Sequence, residues 1–289
     1  MSTATRTPVI AITGATGHVG GAVATRLHDA GLAARLIVRD PTRAPAWARA
    51  VAVTSYDDRA TGPAALAGVD VLFMVSAAES ADRLEQHRAF IDSAAEAGVR
   101  HVVYTSFVGA GPDSVFTFGR THGATEAHLA ASGMTTTILR DSFYLDFLPE
   151  LAVAGVIAGP AGPTGGSVGA VARADVVRSA CTVLTDLAAG SSAHDGAIYT
   201  MTGPETLSLI DVARILTELG SPTTYREESI EQAYASRAHY GAPAWEVDGW
   251  VSTYTAIASG QLAAVTEDVL RLTGRVPLSL AELLTGARA

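Results

Sequence analysis

The chain contains no lysine: all 20 of its basic residues are arginine. That absence removes Schiff-base chemistry, a lysine general base and the lysine half of a Tyr-x-x-x-Lys pair, whose ammonium lowers a tyrosine pKa so that it can protonate a carbonyl oxygen. Tyr104 is followed four residues later by Val108. Cysteine is almost as scarce. The single Cys181 cannot close an internal disulfide, and its setting in VVRSACTVL reads as a buried, inert thiol. Cys/His spacings that hold a metal are missing, so no metal site is expected. Long apolar runs are missing too: none approaches the ~18–20 residues that span a bilayer. The opening MSTATRTP has no hydrophobic signal core, which makes cytoplasm the expected compartment. Positive charge is in deficit. The formal net charge of −9 argues against a nucleic-acid partner, which needs a concentrated positive face.

What is present is a globular composition, with 289 residues of which 48% are hydrophobic and 17% charged. That length supports one large α/β domain or two coupled lobes. Strand-like and helix-like segments alternate over the first 140 residues. VIAIT (9–13), ARLIVR (34–39), VAVTS (51–55), VDVLFMVS (69–76), RHVVYTS (100–106) and TTTILR (135–140) read as strands. Helices are expected from about His18 to Ala30, over ADRLEQHRAFIDSAAEAG up to Gly98, and over THGATEAHLAASG. Strands apolar on nearly every residue are buried on both faces, which implies a parallel sheet with helices on each side. Right-handed crossovers then give an α/β Rossmann doubly wound fold. After Arg140 the rhythm breaks into a Gly- and Pro-rich stretch, 154–175, followed by a helix, the strand AIYTMTG and a helix capped by Ser208. The expected division is a dinucleotide-binding domain over 1–145 and a smaller C-terminal α/β lobe over 146–289. That lobe would form the substrate cleft, interleaved with the first domain.

Gly14, Gly17 and Gly20 form GxxGxxG directly after the first strand and at a helix start. The first permits a tight turn, the second lets backbone N–H groups approach a pyrophosphate, and the third allows close helix–strand packing. A dinucleotide is therefore expected. Its identity depends on the end of the second strand, which reads Val38-Arg39-Asp40-Pro41-Thr42-Arg43. Arg39 sits where a guanidinium can stack on adenine and pair with a 2′-phosphate, with Arg43 one turn on, which points to NADPH. Asp40 leaves a ribose-binding alternative open, and Arg39 also reads as a solvated surface arginine.

With ITGATGHVG, VRDPTRA, GVDVLFMVSAAE, QHRAFIDSAAEAGV, VVYTSF, THGATE, TILRDSFY, ARADV, YTMTGPE and LTGRVPLSLAELL in that order, the chain resembles the NmrA-like, atypical short-chain dehydrogenase/reductase family. Within it, the resemblance is to the NADPH:quinone oxidoreductase type 2 and triphenylmethane reductase branch, over essentially the whole chain. The resemblance implies a Rossmann fold that binds NADP(H), a C-terminal lobe forming the substrate cleft, and a possible homodimer. It implies that Gly14, Thr16, Gly17, His18 and Val19 line the pyrophosphate turn and that Arg39, supported by Arg43, holds the 2′-phosphate. Ser76, Ala77 and Ala78 would flank the nicotinamide-side ribose. Tyr104, Thr105 and Ser106 would lie under the nicotinamide, with His122 and Tyr144 facing the cleft. Two positions depart from the branch. Ser55 stands where an acid is common, and Asp141-Ser142 stands where Asn-Gly is common. Asp141 either alters substrate preference or caps a turn.

Without the lysine, alcohol–ketone interconversion by the usual route is disfavoured. A quinone accepts hydride readily, and a cationic dye takes it at carbon with no proton at all. For such acceptors a protein supplies orientation and a dry pocket. Tyr104, Phe107, Phe143 and Tyr144 suit that task, although Phe107, Phe143 and Phe147 each read as core or cleft wall rather than as specific contacts. His122 is the candidate acid, because imidazole titrates near neutrality, or else an exposed helix-start residue. Glu126 orients it or is a surface neighbour one turn on. His101 and His194 read as structural or solvated. The candidate catalytic residues are thus Tyr104, His122 and Tyr144. The expected function is NADPH-dependent hydride delivery to a small quinone or similar electron-poor conjugated acceptor. The alternatives are a non-catalytic NADP(H)-binding redox sensor and a tailoring reductase of a biosynthetic pathway.

Overall fold

In the computed structural model, which describes residues 8–286, apolar runs and glycine breaks translate directly into strands and turns. The opening MSTATRT, on which the signal-core argument rests, lies outside the described residues. The elements in order are β1 (Ile10–Ile12), α1 (His18–Asp29), β2 (Ala34–Val38), β3 (Val51–Val53), α2 (Gly62–Leu66), β4 (Val71–Met74), α3 (Arg83–Glu96) and β5 (His101–Phe107). They continue as α4 (Thr117–Ala131), β6 (Thr135–Asp141), β7 (Ala152–Val153), β8 (Val156–Gly159), α5 (Arg173–Ala188), β9 (Ile198–Met201) and α6 (Leu209–Glu218). The last are β10 (Thr224–Glu227), α7 (Ile230–Arg237), α8 (Ala244–Ala258), α9 (Asp268–Thr273) and α10 (Leu280–Thr285).

Seven strands form one sheet in the order β3-β2-β1-β4-β5-β6-β9. β1 pairs in parallel with β2 on one side and β4 on the other, so Ile10 lies between Ala34 and Val71. The strand order reverses at that point, and a doubly wound sheet opens a crevice there at the carboxyl ends of its strands. The fold is the expected Rossmann-like α/β architecture. β1 and β4 are buried at every residue, as their unbroken apolar sequence requires.

The chain divides into two compact units, and it passes between them several times. The first holds the chain up to Ser106, Ala124–Leu139 and Val177–Tyr199; the second holds Phe107–Gly123, Arg140–Val176 and the chain from Thr200. The physical reason is that later segments complete the first unit's core. Cys181, for example, is buried with its Sγ directed at the Val23 carbonyl, and burial pushes its thiol up to about 11, which keeps it protonated and inert. In the first unit Leu72, Met74, Phe90, Ile91, Val102 and Tyr104 share one core. In the second, Phe107, Phe116, Phe118 and Phe143 belong to another.

Several elements differ from expectation. β3 stops at Val53, two residues early, and leaves Thr54 and Ser55 in a loop. α2 was not foreseen; at five residues it is too short to show a helical period. A second, three-stranded sheet, β10-β8-β7, forms in the C-terminal unit. Its β7–β8 hairpin turns through Ala154 and Gly155, both at positive φ, with alanine where a glycine or asparagine would announce the turn. Among the described residues, no helix is long and apolar enough to cross a membrane.

Candidate active site

The first unit carries a cavity of about 560 Å³ at the carboxyl ends of β1, β2 and β4. The glycine turn forms one wall. Gly14 has φ +59°, a left-handed conformation that glycine adopts without strain. A Cβ on Gly20 would stand 2.5 Å from both the Thr13 and Gly14 carbonyl oxygens, so only glycine lets α1 start this close to β1. Gly14 and Thr16 line the cavity; Gly17, His18 and Val19 do not. The Gly17 N–H closes the turn on the Gly14 carbonyl at 2.9 Å. Val19 turns its side chain into the core, and His18 opens α1 at the surface.

Arg39 lines the opposite side, at the end of β2. Asp40 is occupied: its Oδ1 accepts from the Thr42 backbone N–H at 2.9 Å and from the Thr42 hydroxyl, bonds that hold its carboxyl below the usual range. It is the cap of the 3-10 turn Pro41–Arg43, which weakens its case as a ribose ligand. Arg43 is exposed on that turn and does not line the cavity. Ser55 does line it, and its hydroxyl donates to Asp57.

The floor rests on residues that the sequence did not single out. The Thr13 hydroxyl accepts the Val75 N–H at 2.9 Å and meets the Tyr56 hydroxyl, which in turn donates to the Val75 carbonyl. Tyr56 stacks on Phe90 with ring centroids 4.4 Å apart. Ser76, Ala77 and Ala78 line the cavity, and buried side chains hold them from behind. The Ser76 N–H donates to Thr105 Oγ1 at 2.8 Å, the Ala77 N–H to His87 Nε2 at 2.9 Å, and Arg83 Nε to the Ala77 carbonyl at 3.0 Å. Because a backbone N–H can only donate, Nε2 is the acceptor, and Nδ1–H must then donate to Thr125 Oγ1 at 2.9 Å. The ring is neutral: burial, helped by the nearby Arg83 charge, pushes His87 down to about 3. The overlooked signal was periodicity. Arg83 and His87 share α3's buried stripe with Phe90, Ile91 and Ala94, and polar residues on an apolar face need partners.

Tyr104 is fully buried in the first unit's core, edge-on to His87 at 5.8 Å. On β5 the side chains alternate, and the face that takes Tyr104 is the one that takes Val102. Thr105 and Ser106 are also buried; Thr105 braces the Ser76 loop, and the Ser106 hydroxyl donates to Glu126. His122 is buried rather than an exposed helix-start residue, and stacks on Phe107. Tyr144 stays partly exposed in the second unit, its hydroxyl 2.9 Å from Asp141 Oδ2. Phe107 and Phe143 are cluster members 5.0 Å apart. His101 and His194 are structural: His101 Nε2 meets the Thr137 hydroxyl, and His194 bridges Tyr199 and Asp186.

A profile of NAD(P)H-binding proteins matches residues 14–187, which include this cavity's glycine turn and the strands β2 and β4 beside it. The chain belongs to this NAD(P)H-binding family. Among its relatives, the NAD(P)H azoreductase of Xenophilus azovorans is 32% identical over 95% of this chain and 96% of its own. Quinone oxidoreductase 2 of Escherichia coli (strain K12) is likewise 32% identical, over 95% of this chain and 96% of its own. The E. coli NADPH-dependent quinone oxidoreductase crystallised with NADPH superposes with a TM-score of 0.86 at 30% identity, covering 97% of this chain and all of the other. The triphenylmethane reductase of Citrobacter sp. gives a TM-score of 0.83 at 28% identity over 96% and 99% of the two chains. Within the family, the chain falls in the quinone oxidoreductase 2 and triphenylmethane reductase branch. The cavity suits the family's cofactor, combining a glycine cradle that a side chain would fill with an arginine on the opposite wall.

Proposed function

We propose that the protein is an NADPH-dependent oxidoreductase that passes hydride to quinones or similar electron-poor conjugated acceptors and works without a Tyr-x-x-x-Lys pair. The observation that carries this reading is whole-length similarity to reductases named for azo, quinone and triphenylmethane acceptors, joined to a chain with no lysine. Gly14 and Thr16 would hold the pyrophosphate, Arg39 the 2′-phosphate, and the Ser76–Ala78 backbone the nicotinamide-side ribose. When bound, the reduced nicotinamide supplies a hydride. The chain's part is to fix geometry and exclude water, which suffices for acceptors whose conjugation stabilises the added charge.

The test is oxidation of NADPH and of NADH with a benzoquinone, an azo dye and a cationic triphenylmethane dye. Turnover with at least one acceptor, faster with NADPH, is expected; none with any acceptor overturns the reading. Arg39→Asp removes a charge-assisted bond of about 1.5–3 kcal/mol, so the NADPH-over-NADH preference in kcat/KM should fall about 10- to 100-fold. An unchanged preference would remove Arg39 from its assigned place.

A further inference from the structure

The second unit carries a cavity of its own, about 490 Å³ in volume, and every residue lining it belongs to that unit. The size is that of a small-molecule site. One wall is a face of the three-stranded sheet β10-β8-β7. Val156 and Ala158 alternate along β8, and Arg226 and Glu228 alternate along β10 and the residue after it. Another wall is one side of α8, where Trp250, Thr253 and Tyr254 share a face by their spacing of three and four residues. The helix meets the sheet at Gly159 of β8, where a side chain would collide with the Tyr254 ring. A sheet face covered by a helix ordinarily closes into dry core without voids. Here the space beyond that contact stays open, and charged groups line it.

Those charges are unevenly satisfied. Glu228 and Arg237 pair at 3.2 Å, with side chains 7% and 12% exposed. Arg237 is occupied by the protein itself: it donates to the Ala233 carbonyl at 2.9 Å and to the Ala158 carbonyl at 3.1 Å, and lies 5.0 Å over the Tyr254 ring. Its contact with Glu228 is through Oε2. No hydrogen bond reaches Oε1 among the described residues; the Arg226 guanidinium stands 3.5 Å away, on a side chain 66% exposed. An acceptor oxygen and a guanidinium donor are thus side by side with capacity left over. Glu150 and Glu228 balance Arg226 and Arg237 along the lining, which favours a neutral ligand over an organic ion. The remaining wall is aromatic. Phe147, Tyr240 and Trp250 line the cavity, and the exposed Tyr240 sits edge-on to Trp250 at 5.7 Å.

We propose that this cavity binds a neutral fused-ring aromatic that carries two adjacent hydroxyls. The rings lie among Phe147, Tyr240 and Trp250. One hydroxyl donates to Glu228 Oε1, and the neighbouring oxygen accepts from Arg226. A single hydroxyl would serve one member of that pair and leave the other in an apolar cleft without a partner. The site lies within the second unit and does not depend on the reductase reading.

The experiment titrates 2,3-dihydroxynaphthalene into the full chain by calorimetry, with 2,3-dimethoxynaphthalene as a compound of the same rings that cannot donate. One dihydroxy molecule per chain should bind, with Kd below about 100 μM. The dimethoxy compound should bind about tenfold or more weakly, the worth of one hydrogen bond to a charged group. Arg226→Ala should weaken the dihydroxy compound by a similar factor, and Tyr240→Ala by about fivefold through the lost ring contact. Both side chains are exposed, and neither substitution touches the Glu228–Arg237 pair, so the fold is not at stake. Absence of saturable binding, equal affinity for the dimethoxy compound, or an affinity unchanged in either variant overturns the proposal; the last result would mean that the compound sits elsewhere, the cofactor cavity included. None of these outcomes involves turnover, so each leaves the reductase reading as it stands, and failure of that reading leaves this site as it stands.

Discussion

His87, behind the cofactor cavity, and Asp141, at the end of β6, are both ionisable groups taken out of water and kept neutral. Burial drives them in opposite directions, the imidazole down to about 3 and the carboxyl up to about 8. Their surroundings differ in one respect. Both ring nitrogens of His87 are paired, one with a backbone N–H and one with a hydroxyl. Asp141 has one oxygen paired and one left alone. A fully satisfied buried group rigidifies what it touches, whereas a half-satisfied one keeps a capacity in reserve at the expense of stability. The first region holds a backbone loop still, and in the second burial keeps a carboxyl protonated.

The finished region should fail abruptly when its backbone is disturbed. Gly20→Ala puts a methyl 2.5 Å from two carbonyl oxygens that cannot retreat, since the Thr13 N–H is bonded to Phe73 and the Gly14 carbonyl holds the Gly17 N–H. Overpacking of this kind costs about 1–3 kcal/mol or more. A lower thermal midpoint is expected, with NADPH affinity by fluorescence titration weakened about 100-fold or more, roughly 2.7 kcal/mol. A variant that binds NADPH normally would mean that the turn is softer than its contacts imply.

His87→Phe keeps the ring but strands the Ala77 N–H, at about 1–3 kcal/mol for a buried group. The loss should be about 2 kcal/mol in urea denaturation at pH 7, with a higher KM for NADPH because Ala77 lines the cavity. The pH dependence has a definite sign. The folded pKa is depressed from 6.5 to about 3, so stability tied to His87 is full above pH 6.5 and lost as pH falls towards 3. The variant's stability should therefore decline less between pH 7 and 4.5 than that of the wild type. Equal slopes would show that His87 is not the buried neutral imidazole described here.

The same contrast governs what was legible in the amino-acid order. The glycine turn, the parallel strands and Arg39 are local signals, a backbone conformation or a residue at a strand end, and they survive translation into the fold. Tyr104 shows the limit of such signals, because a tyrosine within a strand looks alike on either face; which face meets the core depends on packing against Phe90 and Leu129. His87 and Tyr56 went unnoticed because their partners are backbone groups of a loop and a strand end brought close only by the sheet. Ala154 carried no turn signal because its positive φ is imposed by the hairpin rather than chosen by the residue. Asp141 was visible as a departure from its branch, but its burial and unpaired oxygen arise from tertiary packing alone.

The smallest expected change has the opposite sign to the others. Asp141 has a folded pKa raised from 3.8 to about 8, so the stability linked to its protonation is full below pH 3.8 and lost as pH rises through 8. At pH 7 the unfolded chain already gains from ionising, while the folded chain must keep the proton. Asp141→Asn removes that imbalance, worth up to about 4 kcal/mol at pH 7, but can leave an amide nitrogen unpaired where Oδ1 stood, at a cost of about 1–3 kcal/mol. The net expectation at pH 7 is a fold more stable by about 2 kcal/mol in urea titration, with a larger gain at pH 9 and a loss at pH 4. A gain that does not grow with pH would place Asp141 among ordinary ionised carboxylates and erase its contrast with His87. A gain that does grow with pH would mark a carboxyl that burial keeps protonated at the fold's expense.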